Sequence, residues 1–175
     1  VSAAFVGSAA RVIENFDLKV DVTEHKEYTF RPGTLEIAKN SPRNTQITLY
    51  VNEDKSLIPP QIVQHIDRVS RAISNLAKQS TGRISPVTVL LQPDTDFAEA
   101  AELAGIRKIP MSSGDILYFG AVFSSGEKQL VTSYFDVNRA TSLEYDLALQ
   151  LSNLSRGNTP HVGILSSVLK PANVE

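Results

Sequence analysis

The chain has 175 residues, no cysteine and a formal net charge of −2, from 17 basic and 19 acidic side chains. The absence of cysteine excludes disulfides, thiolate metal ligands and thiol redox chemistry. Because no basic run is present, a nucleic-acid partner has no electrostatic support. A hydrophobic fraction of 42% provides a core for one domain without a metal or a disulfide.

Residues 1–45 are predicted to form an N-terminal arm and a short helix before the main domain. Residues 1–10 are small and mildly apolar, which is typical of either the stub of a removed membrane helix or signal segment, or a short amphipathic helix. Residues 21–30 form a polar arm that Arg31-Pro32-Gly33 interrupts. A short helix is predicted over residues 34–39.

The main domain is predicted over residues 46–157 and begins with a strand, a long helix and a second strand. Residues 46–51 alternate as a strand does. Pro59-Pro60 stands where a helix can begin, because the N–H that proline lacks has no helical partner there. The second strand covers residues 84–92. The helix between them has an apolar face at three- and four-residue spacing, formed by Ile62, Ile66, Val69, Ile73 and Leu76.

A short helix and a hairpin are predicted next. Asp96 and Glu99 form a capping box, in which Asp replaces Ser or Thr, for a helix over residues 97–104. Residues 116–123 and 129–135 are rich in β-formers and are separated by a short loop, so they are predicted to pair as a β-hairpin.

A last helix and a final strand complete the predicted order. Thr141 and Glu144 form a second capping box. The helix that it opens has a buried side of four leucines, namely Leu143, Leu147, Leu151 and Leu154. Residues 162–165 are predicted to be a buried strand. Residues 158–175 are interpreted as the start of, or a linker to, a following domain.

The element order from residue 46 onward, β-α-β-α-β-β-α, predicts an α/β domain of the thioredoxin-like class with a C-terminal extra strand. A G-I-x-x-I-P segment ends at Pro110, just before the hairpin, where thioredoxin-like proteins carry a cis proline. We therefore predict a cis bond at Pro110. The loop over residues 52–60 has no C-x-x-C, so the domain lacks the redox couple of that class.

No catalytic signature occurs in the sequence, so we predict no enzyme, no cofactor and no metal. The three histidines lie in different segments and have no partner at metal-ligand spacing. We interpret His25, His65 and His161 as surface or loop residues, and place His65 with Arg68 and Arg71 on the polar side of the long helix.

Two regions are candidates for binding. The aromatic-rich strand around Tyr118 contains Gly120, which marks either a close backbone approach or an ordinary packed strand. The strand-to-helix junction after it concentrates charge, as either a binding site or an internal Arg–carboxylate cluster. With Pro110, the candidate binding residues are Tyr118, Asp136, Arg139, Glu144, Tyr145 and Asp146.

Five segments, in order and at similar spacing, resemble the GldG-like family of gliding-motility-type ABC transporter auxiliary proteins. They cover most of the chain, from residue 21 to residue 166. They are residues 21–34 (DVTEHKEYTFRPGT), 46–51 (QITLYV), 117–120 (LYFG), 143–147 (LEYDL) and 160–166 (PHVGILS).

The resemblance implies an extracytoplasmic, periplasmic piece of an auxiliary subunit that is anchored to the inner membrane by a helix preceding the polar arm. Its implied partners are the permease and ATPase subunits of the transporter and a second domain of its own chain. The family has no established catalytic residues to carry over. The oligomeric state and the transported cargo stay open.

Two functions are compatible with the sequence. One is a non-catalytic interaction module, for which we expect an exposed apolar patch or an open sheet edge. The other is a ligand-binding domain that captures a substrate for the transporter. For the second we expect a concave pocket with convergent polar groups, placed between Pro110, residues 52–60 and the hairpin.

Overall fold

A computed structural model describes residues 28–156 of the chain, and these form a mixed α/β domain. The predicted α/β class is therefore confirmed. Residues 1–20, most of the polar arm and the strand predicted over residues 162–165 lie outside the described residues. No helix among the described residues is both long enough and apolar enough to cross a membrane.

The helices and strands follow the predicted order, with two very short strands added. The helices are α1 (Pro32–Lys39), α2 (Pro60–Gln79), α3 (Asp96–Leu103) and α4 (Leu143–Ser155), with a 3-10 helix (Val137–Ser142) directly before α4. The strands are β1 (Thr45–Asn52), β2 (Ile84–Leu91), β3 (Ile109–Pro110), β4 (Ile116–Leu117), β5 (Phe119–Ser125) and β6 (Lys128–Thr132).

Four of the strands form one mixed sheet in the order β2-β1-β5-β6. Strands β1 and β2 run parallel, whereas β5 is antiparallel to both β1 and β6. The β5–β6 hairpin turns at Gly126, whose φ of 59° lies in the left-handed region that glycine enters without steric cost. The short strands β3 and β4 pair separately with each other.

One face of the sheet carries the larger core, under α1, α2 and α4. Successive strand residues point to opposite faces, and Ile47, Leu49 and Val51 of β1 all enter this core. The four leucines predicted for α4 are buried in it, and each contributes about 1.5–3 kcal/mol by leaving water. Phe30 and Ala38 join the same core, so α1 packs as part of the domain.

The opposite face is covered by α3. Leu91 and Val122 from the sheet pack there with Ala98 and Ala101 of α3 and with the ring of Tyr118. The two helices that follow the parallel strands, α2 and α3, therefore lie on opposite faces of the sheet.

Both predicted capping boxes are wrong. The N-cap of α3 is Thr95, whose side chain accepts a hydrogen bond from the Ala98 N–H at 3.3 Å, so Asp96 is the first helical residue. The residues before α4 form a 3-10 helix, and α4 begins after Ser142 without a side-chain cap. Glu144 does not cap its own helix, because its carboxylate accepts hydrogen bonds from Arg31 and Thr34 at the start of α1.

The cis bond predicted at Pro110 is also wrong, since no cis peptide bond occurs in residues 28–156. Pro110 lies in an extended strand and pairs with Ile116. The tight turn comes just after it, where Met111 and Asp115 are joined by a backbone hydrogen bond. A cis proline typically occurs in a tight turn, and Pro110 is not in one. The intrinsic preference of the X–Pro bond for trans, about 0.5–1 kcal/mol, therefore decides the isomer.

Candidate functional site

A cavity of about 270 Å³ lies where α2, the 3-10 helix and α4 meet the end of β6. We call it the junction cleft. Its lining includes the ionisable side chains of His65, Asp136, Arg139 and Asp146, and Tyr134 adds an aromatic ring. Three of the residues predicted at the strand-to-helix junction therefore share one cleft.

The charged groups of the cleft are held by local contacts. The Asp136 carboxylate accepts a hydrogen bond from the Asn138 N–H at 2.9 Å and so begins the 3-10 helix. That helix brings Arg139 alongside α4, where its Nη2 donates to Asp146 Oδ1 at 2.8 Å. The Arg139 side chain is 62% exposed, so this ion pair contributes at most about 1 kcal/mol to stability.

The buried residue of the cleft is His65, and its predicted place on the polar side of α2 is wrong. Its side chain is 5% exposed, and its ring meets the Phe119 ring edge-on with the centroids 5.4 Å apart. In the described part of the chain, its Nδ1 atom has no hydrogen-bond partner. Burial lowers the pKa of His65, and the charge of Arg68 lowers it further, whereas Asp136 opposes both effects.

His65 should make the protein less stable in mild acid. Its folded-state pKa is below its unfolded value of about 6.5, so below that pH the unfolded chain binds more protons. The contribution of neutral His65 is complete above about pH 6.5 and is lost as the pH falls further. In His65→Leu, urea denaturation should show a smaller loss of stability between about pH 7 and about pH 5 than in the wild type. If the free energy of unfolding falls equally with pH in the wild type and in His65→Leu, this account is contradicted.

Glu144 lies outside the cleft and holds the start of α1. Its Oε1 accepts hydrogen bonds from the Arg31 N–H and from the Thr34 hydroxyl, both at 2.7 Å. The carboxylate thereby supplies the N-terminal cap that no side chain of α1 provides. These bonds span 113 and 110 residues of sequence, so they join the two ends of the described chain.

Glu144→Ala should lower the free energy of unfolding by about 1–2 kcal/mol, the usual cost of losing a helix cap. Glu99→Ala is the matched control, because Glu99 is an exposed glutamate on another helix. Urea denaturation of both variants measures the difference. If the free energy of unfolding falls equally in Glu144→Ala and Glu99→Ala, Glu144 does not act as a cap.

Tyr145 faces solvent on α4 beside the cleft. Its side chain is 65% exposed, and Leu149, one turn further along the same helix face, is 42% exposed. We call this pair the α4 strip. Leu149 and Asp146 also line the junction cleft, so the strip and the cleft form one continuous surface.

Tyr118 and Pro110 lie away from the cleft. The Tyr118 ring is fully buried, and its hydroxyl donates to Glu102 Oε1 at 2.6 Å. Burial, together with this hydrogen bond, raises the pKa of Tyr118 well above its usual value. The Tyr118 backbone N–H donates to Asn52 Oδ1 at 2.7 Å, while the Asn52 amide donates to the Ile116 carbonyl. Asn52 thus fixes the β4–β5 junction to the end of β1.

The pocket predicted between Pro110, residues 52–60 and the hairpin does not coincide with the junction cleft. Pro110 is exposed, and no residue of 52–60 lines the cleft. The described residues contain no group of three or more His, Asp or Glu side chains that could hold a metal ion. His25 and His161 lie outside the described residues.

A family model described as a domain of unknown function, DUF7088, matches residues 24–124, which is more than half of the chain. The chain belongs to the DUF7088 family. No curated protein and no solved structure shows a significant match to it.

The DUF7088 match ends within β5, but the folded domain continues beyond it. Strand β6 pairs with β5, and α4 packs its leucines into the core over the same sheet. Of the cleft residues, His65 falls inside the DUF7088 match, whereas Asp136, Arg139 and Asp146 follow it.

Proposed function

We propose that this domain is a non-catalytic interaction module of an auxiliary subunit in an ABC-type transport system. It works outside the cytoplasm at the inner membrane, beside the permease and ATPase subunits. The support is the resemblance of five segments, in order, to GldG-like auxiliary proteins. The DUF7088 description names no function, so the transporter assignment rests on those segments.

We also propose that the scaffold is thioredoxin-like. The sheet order β2-β1-β5-β6, with one parallel and two antiparallel pairings, supports this class. The placement of α2 and α3 on opposite faces supports it too. Thiol–disulfide exchange requires a thiolate nucleophile, and the sequence has no cysteine. The scaffold therefore serves for presentation of a surface and not for redox chemistry.

The exposed α4 strip is the observation that carries the docking role. Residues 143–147 are one of the segments that resemble GldG-like proteins. In this segment, Leu143 and Leu147 enter the core and Glu144 accepts hydrogen bonds from the start of α1. Tyr145 instead presents its ring to solvent. Large exposed aromatic side chains are enriched at protein interfaces, where they often dominate binding energy. We therefore assign the partner-binding surface to Tyr145 and Leu149, with Arg139 and Asp146 at its polar rim.

The test is affinity purification of the full-length protein from its native membrane, with the permease and ATPase subunits quantified. We expect Tyr145→Ala and Leu149→Ala to reduce recovery of the permease at least fivefold, since an interface anchor contributes more than about 1 kcal/mol. Leu103→Ala is the matched control, because Leu103 is 83% exposed but lies on α3. Its recovery should equal that of the wild type.

Two outcomes would overturn the proposal at different levels. If no ABC permease is recovered with the wild-type protein, the transporter assignment fails. If the permease is recovered equally well with Tyr145→Ala and with Leu103→Ala, the assignment stands but the α4 strip is not the docking surface. Circular dichroism of each variant shows whether the domain is still folded.

Ligand binding at the junction cleft is the second candidate, favoured by the unpartnered Nδ1 of His65. The unprotonated nitrogen of a neutral imidazole accepts a hydrogen bond. With the proton on Nε2, the Nδ1 of His65 fits a small molecule with a hydroxyl, amide or ammonium donor. The cavity of about 270 Å³ is just below the usual size of ligand pockets, about 300–1,000 Å³, so it suits a small ligand. A thermal-shift screen with small polyols, amides and amines tests it, because a ligand of the native state raises the melting temperature. A shift that persists in His65→Leu would exclude this site.

A further inference from the structure

Strand β2 forms one edge of the sheet and has β1 as its single neighbour among the described residues. Its eight residues, ISPVTVLL, include no charged side chain. Exposed edge strands usually carry charges, bulges or prolines that prevent pairing with another chain. In β2 that protection is limited to Pro86 near the start of the strand. The second half of the edge is therefore open and uncharged.

The ladder with β1 determines which backbone groups of β2 face outward. The Arg83 carbonyl accepts from the Thr45 N–H at 3.1 Å, and the Leu91 carbonyl accepts from the Glu53 N–H at 2.9 Å. Odd-numbered residues therefore direct their backbone groups toward β1. Since backbone direction alternates along a strand, the even-numbered residues direct theirs outward.

Of the even-numbered residues of β2, only some can bind another strand through both the backbone N–H and the backbone carbonyl. The Ile84 N–H already donates to the Ser80 hydroxyl at 3.0 Å, and Pro86 has no N–H. Thr88 and Leu90 each offer an outward N–H and an outward carbonyl. Leu90 also exposes 52% of its side chain.

We propose that this edge pairs with the β2 strand of a second copy of the chain, antiparallel, with Val89 opposite Val89 of the other copy. In this register Thr88 of each copy faces Leu90 of the other, and each such pair exchanges two N–H···O bonds. All the open N–H groups are then used, and none is required from Pro86. A register centred on Thr88 would instead set Pro86 against Leu90 and leave the Leu90 carbonyl without a donor.

The occupant is a second copy because the edge is complementary to itself. A two-fold contact brings like residues together, and a strand without charges incurs no repulsion when it meets its own copy. The outward N–H groups span only Thr88 to Leu90, which gives four N–H···O bonds with any antiparallel strand. A second copy is selected because the uncharged edge matches itself about a two-fold axis. The dimer does not depend on the transporter assignment.

The absence of cysteine allows a direct test on the whole chain. Directly opposed residues at a non-hydrogen-bonded antiparallel position have Cα atoms about 4.5 Å apart, within the range that a disulfide bridges. Val89→Cys should therefore form a covalent dimer on mild oxidation. Val87→Cys is the matched control, because in this register Val87 faces Leu91 of the other copy and the variant should form little disulfide-linked dimer.

Sedimentation equilibrium gives the second measurement. We expect the wild type to dimerise with rising concentration, and we expect Thr88→Lys to weaken dimerisation at least tenfold because charge on an edge strand opposes pairing. Gln129→Lys, at an exposed position on the opposite edge strand, should dimerise as the wild type does. A wild type that stays monomeric overturns the dimer. Equal cross-linking of Val89→Cys and Val87→Cys, or a Val89→Cys cross-link to a different protein, overturns the proposed pairing.

Discussion

Phe119→Ala should lower the free energy of unfolding by about 3–5 kcal/mol, the usual cost of removing a buried phenylalanine ring. The Phe119 side chain is fully buried. Its ring contacts His65, Tyr134 and Phe135 at centroid distances of 5.4, 6.4 and 5.3 Å. Removal leaves a cavity beneath the junction cleft, since the rings around it belong to α2 and to the segment after β6.

Urea denaturation measures this loss, provided that the transition is two-state. Phe97→Ala is the matched control, because the same atoms are removed from a ring that is 47% exposed. The control should lose clearly less stability than Phe119→Ala. A loss below about 1 kcal/mol in Phe119→Ala would mean that the core around this ring differs from the one described.

Gly120→Ala, at the next residue, should cost about 1–3 kcal/mol through overpacking. A Cβ atom at Gly120 would lie 2.7 Å from the Thr132 carbonyl oxygen and 2.8 Å from that of Ser133. Neither oxygen can move away cheaply, because Thr132 pairs with Ala121 in the sheet and the Ser133 carbonyl accepts from the Arg107 N–H. The close backbone approach considered for Gly120 from the sequence is therefore present.

Gly33→Ala is the control for the conformational part of this change. A Cβ atom at Gly33, in α1, meets nothing within 4 Å. There the substitution should be neutral or should stabilise by up to about 1 kcal/mol, since alanine favours a helix over glycine. Thermal denaturation of the two variants should therefore shift in opposite directions or differ by several degrees. Gly120→Ala with wild-type stability would contradict the close approach.

Periodicity predicted the helices and strands because each pattern reflects a burial that the fold satisfies. The stripe from Ile62 to Leu76 faces the sheet as α2, and the leucines of α4 are buried as expected. The charged cluster could also be predicted from the sequence. Asp136, Arg139 and Asp146 lie within eleven residues, so one 3-10 helix and the first turn of α4 bring them together.

Contacts between segments that are distant in sequence could not be predicted from local patterns. Glu144 can in principle cap its own helix or another one, and local spacing does not distinguish them, so its bonds to Arg31 and Thr34 were missed. His65 did leave a signal, because Ile62 and Val69 flank it at helical spacing on the buried side. The polar character of histidine favours the solvent side of a helix, and here the packing of the ring against Phe119 decides its place.

Site-specific photo-cross-linking in the full-length, membrane-bound protein tests the docking role most directly. A photoreactive phenylalanine at position 145 lies on the α4 strip, and the same residue at position 103 provides the exposed control on α3. We predict that position 145 cross-links to the permease of an ABC transporter and that position 103 does not. Equal cross-linking at the two positions, or at 145 only to proteins unrelated to a transporter, would contradict the proposal.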